Sequence, residues 1–125
     1  MRLVPEHVLV VEDNPLLSAH LAAMLQDIGV EMVREVATVA EASAAVREKI
    51  FDLVILDLQL GNDNGLVIAE QCAAERVPVI LSTGYGDVLL PVTYSTEQLL
   101  RKPYSMKDLE RSISHLVARA PSSAA

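Results

Sequence analysis

The stretch His7-Val8-Leu9-Val10-Val11-Glu12-Asp13-Asn14-Pro15 decides how the rest of this chain is read. Val8 to Val11 form an unbroken apolar run, which fits a strand buried on both faces better than one with a wet side. The run stops at two acids. Asn14 then offers a side-chain oxygen to the unpaired N–H groups of a helix start. Pro15 stands at the first helical position, where its missing N–H costs nothing. Leu17, Leu21, Met24 and Ile28 follow at helical spacing, and Gly29 is placed to end the helix.

Working outward, the same strand-then-helix unit recurs. Met32 to Val36 is a second strand interrupted by Arg34 and Glu35. Thr38 and Glu41 have capping-box spacing before an Ala-rich helix that ends near Ile50. Leu53-Val54-Ile55-Leu56 is a third strand, closed by Asp57. A loop through Gly61 and Asn64-Gly65 leads to a helix over about Leu66 to Ala74. Val79-Ile80-Leu81 is a fourth strand and Gln98-Leu99-Leu100 a short fifth. Ser105 caps a last helix with Met106, Leu109, Ile113 and Leu116 on one face. The alternation implies an α/β fold, a parallel sheet with right-handed crossovers. Strands 1, 3 and 4 are apolar on both faces, as central strands must be, whereas 2 and 5 carry polar residues suited to edges. The sheet order 2-1-3-4-5 satisfies both facts and puts a ligand site at the carboxyl ends of strands 1 and 3. Gly84 to Glu97, with two glycines and Pro91, predicts a fourth helix that is short, irregular or absent.

With 125 residues and 51% apolar content, the chain suits one domain with a core built from aliphatic side chains, since only 3% are aromatic. A net charge of −7 disfavours direct binding to a nucleic-acid backbone. No apolar run is long enough to span a bilayer, the N-terminus has no signal-peptide pattern, and the lone Cys72 fits a reducing compartment. A cytoplasmic protein with no membrane or nucleic-acid partner is expected. Residues 6–118 are expected to form the domain and 119–125 a disordered tail, with no output domain after the last helix.

Glu12 and Asp13 end the first strand and Asp57 ends the third, and neighbouring strands lie about 4.8 Å apart. Three carboxylates therefore converge, repel one another, and invite a hard divalent cation such as Mg²⁺. Alone, Glu12-Asp13-Asn14 reads equally well as an acidic helix start, and Asp57 as a turn residue. Thr83 ends strand 4, and its hydroxyl is expected to point at the same volume, with Ser82 facing the opposite side by alternation. Lys102 ends strand 5 before Pro103. Its ordinary reading is a solvated surface Lys. A cis Lys102-Pro103 bond would turn it inward to meet a phosphoryl group. The set is what counts, because each member falls at the carboxyl end of a predicted strand. A carboxylate is a workable nucleophile for phosphorus, and transfer needs positioning and charge neutralisation but no general base. His7, His20 and His115 are accordingly read as ordinary strand and helix residues.

Val10-Val11-Glu12-Asp13-Asn14, Leu56-Asp57-Leu58, Gly65, Ser82-Thr83-Gly84 and Lys102-Pro103 together resemble the bacterial two-component response-regulator receiver family, over residues 6 to 118. The resemblance implies a flavodoxin-like (βα)5 sandwich in three layers. It also implies phosphotransfer from a sensor histidine kinase or histidine phosphotransfer protein. By position, Asp57 is then the phosphoacceptor. Glu12 (through water), Asp13, Asp57 and the Gln59 backbone carbonyl serve Mg²⁺. Thr83 is the switch hydroxyl and Lys102 the phosphate-sensing Lys. The signal would leave by contact with a downstream protein, or the domain would act as a phosphate sink. Ser82-Thr83-Gly84-Tyr85-Gly86, Pro91 and Leu100-Arg101-Lys102-Pro103-Tyr104 are similar to the FAT GUY subgroup of single-domain receivers, linked to HWE-type kinases and general stress signalling.

Some positions depart from the pattern. Leu99 stands where the family usually has an aromatic residue, leaving Tyr85, Tyr94 and Tyr104 as substitutes among which the sequence does not choose. Gly61 stands where many members have Pro. Gln59 and Tyr85 occupy the positions that tune phosphoryl lifetime in the family, and a bulky Tyr85 predicts slow hydrolysis. Two other classes compete: a pseudo-receiver that binds partners without phosphorylation, and a Mg²⁺-dependent phosphatase with an aspartate nucleophile. The phosphatase needs a second acid two residues after Asp57, where Gln59 stands.

Overall fold

The computed structural model describes residues 4–61, 63–84 and 98–119. The elements run β1 (His7–Val11), α1 (Pro15–Ile28), β2 (Met32–Val36), α2 (Val39–Arg47), β3 (Leu53–Asp57), β4 (Gln59–Leu60), β5 (Asp63–Asn64), α3 (Leu66–Ala74), β6 (Val79–Thr83), β7 (Leu99–Arg101) and α4 (Met106–Arg119). Five strands form one sheet in the order β2-β1-β3-β6-β7, every neighbouring pair parallel. Counting only those strands, this is the expected 2-1-3-4-5 order of a flavodoxin-like α/β fold. β3 and β6 are buried at every position, whereas β2 is half-exposed along its length.

Alternation of side chains sorts the sheet into two cores. Leu9, Val11, Val54, Leu56 and Leu81 face Ala42, Ala45 and Val46 of α2 and Ile68, Ala69 and Cys72 of α3. Val8, Val10, Ile55, Ile80 and Leu100 face Leu21, Met24 and Leu25 of α1 and Leu109 and Ile113 of α4. The result is three layers. Each fully buried Ile or Leu contributes about 1.5–3 kcal/mol relative to an exposed one, so residues such as Ile55 and Ile80 anchor the sheet from within.

The helix starts follow the local chemistry. Asn14 Oδ1 accepts from Leu16 N (3.0 Å) and Leu17 N (3.3 Å), and Pro15 follows. Gly29 closes α1 at φ 114°, a left-handed conformation that suits glycine. Thr38 Oγ1 accepts from Glu41 N at 3.1 Å, while Glu41 Oε1 accepts from Ala37 N at 3.1 Å. α2 stops at Arg47, short of the expected Ile50, because Lys49 takes φ 59° and cannot continue a right-handed helix.

Two further differences bear on the site. The segment after Asp57, expected as loop, forms a small antiparallel pair, Gln59 opposite Asn64 and Leu60 opposite Asp63. The last sheet strand is Leu99–Arg101, one residue later than expected. The irregular fourth helix expected over Gly84 to Glu97 lies outside the described residues apart from Gly84, as do Tyr85 and Tyr94. The tail expectation lies outside them too, apart from Arg119, which ends α4. Among the described residues no helix is long and apolar enough to cross a membrane.

Candidate functional site

β1 and β3 are neighbours at the point where the chain order reverses, and the acids lie at their carboxyl ends. Glu12 is held by its backbone N–H, which donates to Val36 O at 3.0 Å. Its carboxylate is buried, and Oε2 accepts from Asn14 N at 3.1 Å. Asp13 is exposed, and its Oδ2 accepts from Gly61 N at 2.9 Å, which ties the first acidic turn to the segment between β4 and β5. Asp57 is 6% exposed and its Oδ1 accepts from Gln59 N at 2.9 Å. Glu12, Asp13 and Asp57 each offer a carboxylate oxygen, and all three oxygens lie within 4.8 Å of one another. An all-oxygen donor set of this charge suits Mg²⁺, which prefers hard oxygen ligands and retains several waters.

Lys102 reaches this cluster from beyond β7, the edge strand of the sheet. Its Nζ lies 2.7 Å from Glu12 Oε1 and 3.1 Å from Asp57 Oδ2. It is therefore a working part of the cluster and no solvated surface Lys. The Lys102-Pro103 bond is cis, and Lys102 N donates to Thr83 O at 2.8 Å. Burial disfavours the Lys102 charge, but the hydrogen bonds and attraction of Glu12 and Asp57 outweigh it and hold the ammonium above its ordinary range. Burial raises the Glu12 carboxyl above its ordinary value. Lys102 and the Asn14 N–H pull it back, and the neighbouring Asp57 pushes it further up.

Gly65 packs against the Asp57 backbone for a reason that its place in the sequence does not reveal. A Cβ there would stand 2.5 Å from Asp57 O and 3.2 Å from Leu58 Cα. Its φ is ordinary, so close approach of two backbones requires glycine here, and not a special conformation.

The expectation for Ser82 and Thr83 is corrected. The register pairs Asp57 with Ser82, not with Thr83. Ile55 and Ile80 belong to the α1/α4 core, so alternation puts Asp57 and Ser82 on that face together with Glu12 and Lys102. Thr83 follows Val79 and Leu81 onto the α2/α3 face, where Leu99 also packs. A shift of one residue in register would exchange the two faces, so the pairing of Asp57 with Ser82 decides which hydroxyl shares its side. Thr83 is buried and lies one residue beyond the level of Asp57. Tyr104 packs against the α1/α4 core, on the other side of the sheet from Leu99, and so does not take Leu99's place. Burial pushes its phenol up to about 12. His7, read as an ordinary strand residue, brings a ring nitrogen within 4.8 Å of Glu6 and Glu31 carboxylate oxygens at the opposite end of β1. Its Nδ1 is 3.0 Å from Ile50 O.

Comparison with known proteins shows the family and the fold. Residues 8–114 match the model of the response regulator receiver domain, and the chain belongs to that family. It is 32% identical over 120 residues to the transcriptional regulatory protein PdtaR of Mycobacterium tuberculosis, covering 93% of this chain and 58% of that protein. It is 31% identical over 117 residues to the virulence transcriptional regulatory protein PhoP of Salmonella typhimurium, covering 90% of this chain and 52% of that protein. The chain thus spans little more than half the length of these relatives. Among solved structures, SdrG from Sphingomonas melonis Fr1 is similar at a TM-score of 0.80 and 30% identity, covering 94% of this chain and 99% of that one. The receiver domain of Erythrobacter litoralis PhyR is similar at a TM-score of 0.78 and 29% identity, covering 98% and 97%.

Proposed function

We propose that Asp57 accepts a phosphoryl group from a phosphohistidine of a partner protein, a sensor histidine kinase or a histidine phosphotransfer protein, in a Mg²⁺-dependent reaction. The observation that carries this reading is the state of the Asp57 carboxylate. It is buried, oriented by the Gln59 N–H on Oδ1, and met on Oδ2 by the Lys102 ammonium beside two further acids.

In the transfer, an Asp57 oxygen forms a bond to phosphorus as the bond from phosphorus to the donor's imidazole nitrogen breaks. Asp57 already carries its charge, so no base is needed. Lys102 stands where negative charge on the phosphoryl oxygens develops, and it has Glu12 to hold it when Asp57 no longer does. Glu12, Asp13, Asp57 and the Gln59 carbonyl would hold Mg²⁺. When bound, the ion neutralises charge on the acids and on the incoming phosphoryl group. Thr83, which ends the next strand on the α2/α3 face, is the switch hydroxyl and turns toward Asp57 when the phosphoryl group is in place. The domain is one unit over residues 6–118. It works in the cytoplasm and passes its signal by protein contact or acts as a phosphate sink. It catalyses only its own phosphorylation and dephosphorylation. Likeness to PhyR, one structure of which is called a stress response regulator, supports a place in stress signalling of the FAT GUY type.

Intact-mass spectrometry after incubation with acetyl phosphate, with and without Mg²⁺, tests the reading. A single phosphoryl adduct that needs both Mg²⁺ and Asp57 is expected. No adduct, or an undiminished adduct on Asp57→Asn, would overturn it in favour of an interaction module or a different acceptor.

A further inference from the structure

Ser82 is 3% exposed, and its buried Oγ has no hydrogen-bond partner among the described residues. Burying a hydroxyl without a partner is costly, and most such groups in folded proteins find one. An apolar or alanyl side chain would fill this strand position without that penalty, as Ile80 does two residues earlier on the same face.

The surroundings suggest what the hydroxyl serves. Ser82 pairs in register with Asp57 on one side and with Leu100 on the other. Side chains paired in this way share a face, and neighbouring parallel strands are about 4.8 Å apart. Ser82 therefore stands next to Asp57 on the face of the sheet from which Lys102 reaches Asp57 and Glu12. Each Asp57 oxygen already has a donor, Gln59 N on Oδ1 and Lys102 Nζ on Oδ2. A phosphorylated Asp57 has additional acceptor oxygens, and the span between the two strands is short enough for one to meet a hydroxyl.

Resting on the phosphoacceptor reading above, we propose that Ser82 is a further ligand of the phosphorylated site, its Oγ–H donating to an oxygen of the Asp57 aspartyl phosphate. The hydroxyl then gains a partner only in the phosphorylated state and biases the domain toward keeping the group. This role is separate from that of Thr83, which alternation puts on the other face of the sheet.

The test compares wild type with Ser82→Ala and Ser82→Thr, using beryllofluoride with Mg²⁺ as the phosphoryl analogue. Titration is followed by NMR, and thermal unfolding of the untreated proteins is measured alongside. Ser82→Ala is expected to unfold at the same temperature as wild type or higher, since the hydroxyl it loses has no partner. Its affinity for beryllofluoride is expected to fall about tenfold, the scale of one hydrogen bond to a charged group. Ser82→Thr, which keeps the hydroxyl, is expected to recover most of that loss. A merely structural role predicts the opposite, a lowered unfolding temperature with unchanged affinity, and that result would overturn the proposal alone. Failure of wild type itself to take beryllofluoride at Asp57 would overturn the phosphoacceptor reading, and this proposal with it.

Discussion

Lys102 and Glu12, ninety positions apart in the chain, are joined by a 2.7 Å contact between Nζ and Oε1 across the end of the sheet. Asp57 shares the same ammonium at 3.1 Å. Removing Lys102 leaves two largely buried carboxylates facing each other without a counter-charge. Lys102→Met is therefore expected to destabilise the protein by about 1–3 kcal/mol, below the figure for a fully enclosed pair because Lys102 itself reaches solvent. Urea denaturation measures this. Adding Asp57→Asn to Lys102→Met should restore part of the loss, and equal losses in the single and double variants would show that the acids do not interact through Lys102.

The Gly65 contact makes a second prediction. A methyl group at this position meets the Asp57 carbonyl oxygen at 2.5 Å. Both partners are backbone, so one segment must move. Gly65→Ala is expected to cost about 1–3 kcal/mol and to slow phosphoryl uptake from acetyl phosphate, because the shift moves Asp57 relative to Glu12 and Lys102. Unfolding midpoints and the rate of adduct formation by mass spectrometry check the two effects, and an Ala variant matching wild type in both would contradict the close approach.

Cys72 is fully buried against the sheet on α3, and burial pushes its thiol up to about 12. The thiolate is the reactive form. The native protein is expected to resist iodoacetamide near neutral pH, and the denatured protein to react at the rate of a free thiol. Labelling followed by mass measurement decides this; prompt modification of the native fold would mean that α3 opens readily.

α4 begins with a reciprocal cap. Asp108 N donates to Ser105 Oγ at 3.1 Å, and Ser105 N donates to Asp108 Oδ2 at 2.9 Å. The hydrogen bonds from the Ser105 backbone and side chain hold the Asp108 carboxyl below its ordinary value of 3.8. A depressed carboxyl contributes stability that is present above the unfolded value and is lost as pH falls through the folded one. Asp108→Asn should therefore be less stable than wild type at about pH 6, with the gap closing at about pH 2.5. Ser105→Ala is expected to cost about 1 kcal/mol. Chemical denaturation at both pH values measures each variant.

Much of the architecture was legible in the sequence because its signals are local. The continuous apolar runs of β1, β3 and β6 report burial on both faces, and the polar breaks in β2 report an edge. Asn14-Pro15, Thr38–Glu41 and Ser105 announce helix starts, since a cap is built from residues within one turn of the groups it satisfies. The acid cluster was legible for the same reason, each acid standing directly after an apolar run. The short β4–β5 pairing leaves no sequence signal because two-residue strands carry no periodicity. The end of α2 has no local signal, since nothing in Arg47-Glu48-Lys49-Ile50 marks Lys49 as left-handed.

By itself, then, the sequence determined the order of elements, the sheet order and the gathering of Glu12, Asp13, Asp57 and Lys102 at one end of the sheet. Those follow from hydrophobic pattern, capping chemistry and the carboxyl-end rule for parallel sheets. Only the tertiary structure decided that Ser82 and not Thr83 shares the Asp57 face, that Gly65 must lack a side chain, and that Lys102 bridges Glu12 and Asp57. These depend on register between strands and on the approach of backbones distant in the chain. A shift of one residue in register inverts every side chain of a strand while leaving its sequence pattern unchanged.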